Sequence, residues 1–240
     1  MCSASATSQL LTSSLTESHK PWRKNRTMEN ATSIALFCAG TALVLVKAYL
    51  DRTATTGSTR FTGKPSKEHK EMVASFITEH PDFPKKGVLF RDIFPIMRDP
   101  VACEALVQLL FDRIQAHGKI DVIVGLESRG FLFGPILALL CNCSFVPVRK
   151  PGKLPGKVTS LSFEKEYGKD TFEIQAGSIK QGDRVILFDD LLATGGSLYA
   201  GCKLVEALGG NVVECMVIIE LSDLQGKKNV PAPVWSLYQY

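Results

Sequence analysis

Four short apolar runs constrain this chain most: Val122 to Leu126, Phe145 to Val148, Val185 to Phe188 and Val212 to Ile219. They are rich in Val and Ile and show little polar alternation, the mark of strands covered on both faces in a parallel sheet. Helical stretches separate several of them, Phe131 to Leu140 after the first and Leu198 to Leu208 before the last. Gly209-Gly210 closes the second helix. Asp99-Pro100 reads as an N-cap and first-turn proline, opening a helix with Leu106, Leu110 and Ile114 at four-residue steps. A further helix is expected over Ser66 to His80, stopped by Pro81 and Pro84. The expected class is therefore α/β, a central parallel sheet flanked by helices. No internal repeat is visible.

Residues 1–64 read differently. Ser and Thr are dense from Ser3 to Ser18, a basic cluster follows (Lys20, Arg23, Lys24, Arg26), and residues 30–46 are uncharged with an apolar centre. That centre is shorter than the roughly 20 residues a membrane helix needs. A signal anchor, a transit peptide and an irrelevant extension all fit. The expected division is an extension, 1–64, and a folded body, 65–240. The extension carries 8 Lys/Arg against 3 Asp/Glu, leaving 20 against 21 in the body. The body thus has no net pull on nucleic acid. The seven cysteines include no CxxC and several lie in apolar runs, which favours reduced, mostly buried thiols. Cys141-Asn142-Cys143 is a weak metal signal, with no zinc-type histidine spacing to complete it.

The chemistry concentrates in Val185 to Ser197. A buried strand ends at two carboxylates, Asp189 and Asp190. After them come Ala193, Thr194, Gly195, Gly196 and Ser197, and then an amphipathic helix. Ligands bind at the C-terminal ends of strands in such sheets. Glycines permit close backbone approach, hydroxyls donate, and a helix N-terminus adds unpaired N–H groups and positive dipole. Carboxylates beside a phosphate cradle make sense if they take a vicinal diol, so a ribose 5-phosphate fits. Read alone, the string also fits a capped turn. It is neither a Walker A loop nor a dinucleotide fingerprint.

The segment resembles the phosphoribosyl-pyrophosphate motif of the type I phosphoribosyltransferases, and FDDLLATGGS is similar to their adenine-specific branch. Other motifs stand in the family's order: His80 to Pro84, Gly87 to Ile93, Gly125 to Phe131, Val148 to Gly156, Glu164 to Gly168 and Glu220-Leu221. The resemblance covers roughly residues 67–240. It implies the type I fold with a small hood and a mobile catalytic lid, and a homodimer. It also implies transfer of a 5-phosphoribosyl group from phosphoribosyl pyrophosphate to adenine, giving AMP and pyrophosphate. The departing pyrophosphate would meet Arg129, Arg149, Lys150 and Lys153, with Tyr167 helping to position substrates. Glu166 would be the general acid/base on the lid, Pro151 to Gly168. Leu89, Phe90, Arg91 and Leu221 would hold adenine. Mg²⁺ is expected on pyrophosphate and ribose oxygens, without a protein ligand cluster. A different purine base, or a non-catalytic sensor of phosphoribosyl pyrophosphate, are the alternatives. The expected location is the cytoplasm, with membrane anchoring or organelle targeting through the extension as the alternative.

Overall fold

The computed structural model describes residues 66–165 and 168–240. The extension with its apolar segment, Cys2, Cys38, and the expected lid residues Glu166 and Tyr167 lie outside the described residues.

Five strands form one parallel sheet: Val122–Leu126 (β3), Ser144–Val148 (β4), Arg184–Leu192 (β7), Asn211–Glu220 (β8) and Val234–Gln239 (β9), in the order β4-β3-β7-β8-β9. All four expected runs are strands, and β9 is one the apolar pattern did not mark. Side chains of a strand alternate between faces, and two cores result. Ile123, Ile186, Phe188, Met216 and Ile218 face one core, joined by Leu106, Leu110 and Ile114 of Pro100–Gln115 (α3) and Phe133 and Leu137 of Gly130–Cys141 (α4). Val122, Val124, Val185, Leu187, Cys215 and Val217 face the other, joined by Leu198, Cys202 and Val205 of Gly196–Ala207 (α5). With both faces covered, a polar residue in the middle of a run needs a buried partner, as Glu214 has in Arg113 and His117. That is why the runs lack alternation.

Asp99 caps α3 as expected, its carboxylate accepting from the Val101 and Ala102 N–H groups at 2.9 Å. The expected first helix is shorter. Ser66 caps Lys67–Ser75 (α1), and the chain leaves the helix at Phe76. Thr78–Pro81 (β1) instead pairs antiparallel with Leu89–Asp92 (β2). Phe76 and Ile77 pack on the same core as Val73, so the helical spacing of apolar residues continued past the helix itself. A short helix, Phe94–Arg98 (α2), joins β2 to α3.

The Pro151 to Gly168 stretch is not irregular throughout. From Val158 it forms Val158–Lys165 (β5), antiparallel to Gly168–Gln175 (β6). Phe163, Phe172 and Ile174 are buried against the α5 core while Ser160 and Ser162 stay exposed. The alternation is real but half polar, which hid the hairpin from a search for helical period. Cys103, Cys141, Cys143, Cys202 and Cys215 are free thiols. Cys202 and Cys215 are fully buried, their sulfurs 3.4 Å apart, and the other three are half-buried.

Candidate active site

A cavity of about 390 Å³ opens at the C-terminal ends of β3 and β7, lined by Glu127, Ser128 and Arg129 on one side and Asp189 to Leu198 on the other. The paired acids lie within β7 rather than beyond it, because Asp189, Leu191 and Leu192 still pair with Val217, Ile219 and Glu220 of β8. Both ends of the pair are therefore held by a central strand. The Asp190 N–H donates to Asp189 Oδ1 at 2.9 Å, and Arg129 Nε donates to Asp190 Oδ2 at 2.5 Å. Asp190 is buried and Arg129 half-buried, and both line the cavity. Asp189 is half-buried and lines the cavity. Burial, and then the neighbouring Asp190, push its pKa well above the usual carboxylate range.

The loop after β7 is short and closely packed from behind. Gly195 is the N-cap of α5 at φ +89°, and no side chain caps that helix. Its first-turn N–H groups are thus aimed at the cavity without an internal acceptor. A Cβ at Gly195 would lie 2.4 Å from the Gly226 carbonyl oxygen, and one at Gly226 would lie 2.1 Å from the Ala193 carbonyl oxygen. Only glycine serves at either position. Two short 3-10 turns, Ser222–Leu224 and Gly226–Asn229, carry this second backbone behind the loop. Asn229 Nδ2 donates to the Thr194 carbonyl at 2.8 Å, and the Leu221 N–H donates to the Leu192 carbonyl at 2.9 Å.

The other expected residues among the described ones do not line this cavity. Arg149 donates to both oxygens of Glu127, at 3.1 and 3.2 Å, and Lys150 donates to Glu127 through its backbone N–H at 2.9 Å. Those bonds hold Glu127 below the usual carboxylate range, the Arg149 bond first and the Lys150 N–H against opposing burial. Lys150 Nζ pairs with Asp170 at 2.7 Å, and Lys153 is exposed on the turn beyond. Phe90 lies 5.9 Å from the Arg129 guanidinium, ring centre to Cζ, which places β2 beside a residue that lines the cavity. Leu89 is exposed. Arg91 is engaged elsewhere, 3.3 Å from Glu79 and 4.0 Å over the Tyr240 ring. Leu221 packs beside the core at the start of the bracing segment.

Glu127, Gly226 and Asn229 were not singled out from the sequence. Glu127 had a local signal, an acid straight after a buried strand and two residues before an arginine. Gly226 and Asn229 had none, since their partners lie some thirty residues away. Among the described residues no group of three or more His, Cys, Asp or Glu is placed to hold a metal ion.

A phosphoribosyl transferase domain matches residues 99–238. The adenine phosphoribosyltransferase of Drosophila pseudoobscura pseudoobscura is 49% identical over 171 residues, which are 71% of this chain and 94% of that one. The chain belongs to the adenine phosphoribosyltransferase family. Solved adenine phosphoribosyltransferases share its fold. The Saccharomyces cerevisiae enzyme, complexed with an imino-altritol bisphosphate and adenine, superposes with a TM-score of 0.68 at 45% identity, covering 71% of this chain and 99% of that one. The Trypanosoma brucei enzyme, in complex with AMP, pyrophosphate and ribose-5-phosphate, gives 0.67 at 28% identity, covering 72% and 81%. The expected type I architecture of this family, a parallel sheet flanked by helices, is the one described above.

Proposed function

We propose that this purine-salvage enzyme transfers the 5-phosphoribosyl group of phosphoribosyl pyrophosphate to adenine, giving AMP and pyrophosphate. The carrying observation is the cavity between β3 and β7, where an acid pair on a central strand meets a glycine–hydroxyl loop at a helix N-terminus. Thr194 to Ser197 would receive the 5-phosphate. Asp189 and Asp190 would accept hydrogen bonds from the ribose hydroxyls, Arg129 keeping Asp190 oriented toward them. Arg129, Arg149, Lys150 and Lys153 would neutralise charge on the departing pyrophosphate. Adenine would lie against Phe90 and Leu221, near Leu89 and the backbone of Arg91. Glu166 would exchange the purine ring proton, and Tyr167 would help position the substrates, both roles resting on the resemblance alone.

Mg²⁺ takes oxygen ligands and usually keeps several waters, binding through one or two carboxylates plus substrate phosphates. The cavity offers carboxylates and hydroxyls, oxygen donors of the kind such a cation takes. Bound there, it would offset the leaving group's charge.

We assign catalysis to residues 65–240 and expect 1–64 to be dispensable for it. We also expect a homodimer. Ile136 and Leu139, three apart on α4, are exposed apolar side chains that a second copy could cover. Among the described residues no helix is long and apolar enough to cross a membrane, and a cytoplasmic location is our reading. The deciding assay supplies phosphoribosyl pyrophosphate with adenine, hypoxanthine, guanine or xanthine in turn and follows pyrophosphate release. Preference for any base but adenine would overturn the assignment.

A further inference from the structure

We infer that Glu173 is a positioning residue for the diphosphate group, fixing the turn that carries Arg149 and Lys153. The inference rests on the phosphoribosyl-transfer reading above. Charge alone does not explain an acid here, because a carboxylate beside a diphosphate site repels the ligand. Its hydrogen bonds do explain it. The Glu173 backbone pairs with Arg149 in both directions, at 2.9 Å and 2.7 Å, outside any regular strand pairing. Its Oε2 accepts the Gly152 N–H at 3.0 Å, and its Oε1 accepts the hydroxyl of Ser160, its cross-strand partner, at 3.2 Å. Two residues along β6, Gln175 Nε2 donates to the Pro155 carbonyl at 3.1 Å.

The hairpin thus grips the turn at positions 149, 152 and 155. The middle grip matters most. Gly152 sits at φ +72°, a left-handed bend, and Glu173 accepts its N–H with a charged oxygen. The fold of that bend in turn aims Arg149, whose Nη1 donates to the Lys153 carbonyl at 3.2 Å. Long cationic side chains on a loose turn would have to be ordered by the ligand itself, at a cost in affinity. Anchoring the turn beforehand removes that cost.

The test uses the full chain. Steady-state rates are measured forward with phosphoribosyl pyrophosphate and adenine, and in reverse with pyrophosphate and AMP. Calorimetric titration of inorganic pyrophosphate accompanies them. Glu173→Ala should raise KM for phosphoribosyl pyrophosphate and for pyrophosphate by about tenfold, what one lost charge-assisted hydrogen bond typically costs. KM for adenine and AMP should hold. Glu173→Gln, which keeps an acceptor oxygen, should recover most of the loss. Glu173→Asp, one methylene too short to span Gly152 and Ser160, should resemble Ala and covers the case in which Ala fails to fold. Ser162→Ala breaks a hydroxyl pair with Thr171 in the same hairpin and should leave every KM alone. Equal shifts in all four KM values, or Gln no better than Ala, would overturn the inference. So would pyrophosphate affinity unchanged in Glu173→Ala and Glu173→Asp. A wild-type chain that binds pyrophosphate yet makes no AMP would instead overturn the functional reading.

Discussion

The loop after β7 and the turn after β4 are the two proposed phosphate-binding segments, yet they are built in opposite ways. The β7 loop leaves the centre of the sheet, with strands on both sides and a second backbone passing within van der Waals contact behind it. Its donors are backbone N–H groups that cannot swing away. The β4 turn leaves the sheet edge, and its donors are long side chains already paired with protein acids, Arg149 with Glu127 and Lys150 with Asp170. The comparison teaches a division of labour. On the proposed reading, the 5-phosphate, which the reaction leaves in place, would meet a rigid cradle. The pyrophosphate, which must depart, would meet cations that have other partners to return to.

Damage to the rigid side should be the more severe. Gly195→Ala forces a Cβ into the Gly226 carbonyl and a strained positive φ on alanine, displacing the whole loop. A loss in kcat/KM of at least about a hundredfold is expected, the scale of an ångström-level misplacement. Activity near wild type would mean that the loop adapts and the contrast is wrong.

On the other side the largest effect belongs to chemistry rather than to binding. Glu166→Gln should lower kcat by roughly one to three orders of magnitude with modest change in either KM. Lys165→Gln should do much less. Single-turnover AMP formation by both variants separates a proton-transfer role from a mere charge.

Asn at both Asp189 and Asp190 should raise KM for phosphoribosyl pyrophosphate by about ten- to a hundredfold while adenine binding changes little, since charged hydrogen bonds to the diol are lost. Near wild-type efficiency of the double variant would remove the acids from the ribose site.

The two sides should also respond oppositely to pH. Glu127 is held below its ordinary range, chiefly by Arg149, so it adds stability above about pH 4 that is lost as pH falls through its folded value. Glu127→Gln should therefore lower Tm at pH 7, by an amount that shrinks in acid. Asp189 is held above its ordinary range by burial, then by Asp190. The stability it contributes is present below about pH 4 and lost as pH rises through its folded value. Asp189→Asn should therefore raise Tm at pH 7 and have little effect in acid. Melting curves across this range decide it, and a same-sign change in both variants would erase the contrast. The smallest effect is expected from deleting residues 1–64, which should leave kcat/KM unchanged. An inactive but folded truncation would show that the extension takes part in the site.

The sequence by itself determined the buried strands, the helices between them and the cradle at Asp189 to Ser197. Each of these is a local pattern. A strand covered on both faces must be apolar throughout, Asp99 caps its own helix, and a phosphate loop needs its glycines and hydroxyls in consecutive positions. The resemblance extended that legibility to Arg129, Arg149 and Phe90, which the fold brings to one cavity or beside its lining residues. Tertiary structure alone decided what holds these parts in place. The early helix stopped at Ser75 because Thr78–Pro81 had a strand to pair with, and only β2 could reveal that. The polar alternation of Val158–Lys165 became a hairpin because β6 supplied a partner. Gly226, Asn229 and Glu127 act through contacts 22 to 35 residues distant in the chain, Asn229 on Thr194, Gly226 on Ala193 and Glu127 on Arg149. Such contacts leave no periodicity behind, because a hydrogen bond across the fold constrains two positions in space and nothing between them in sequence.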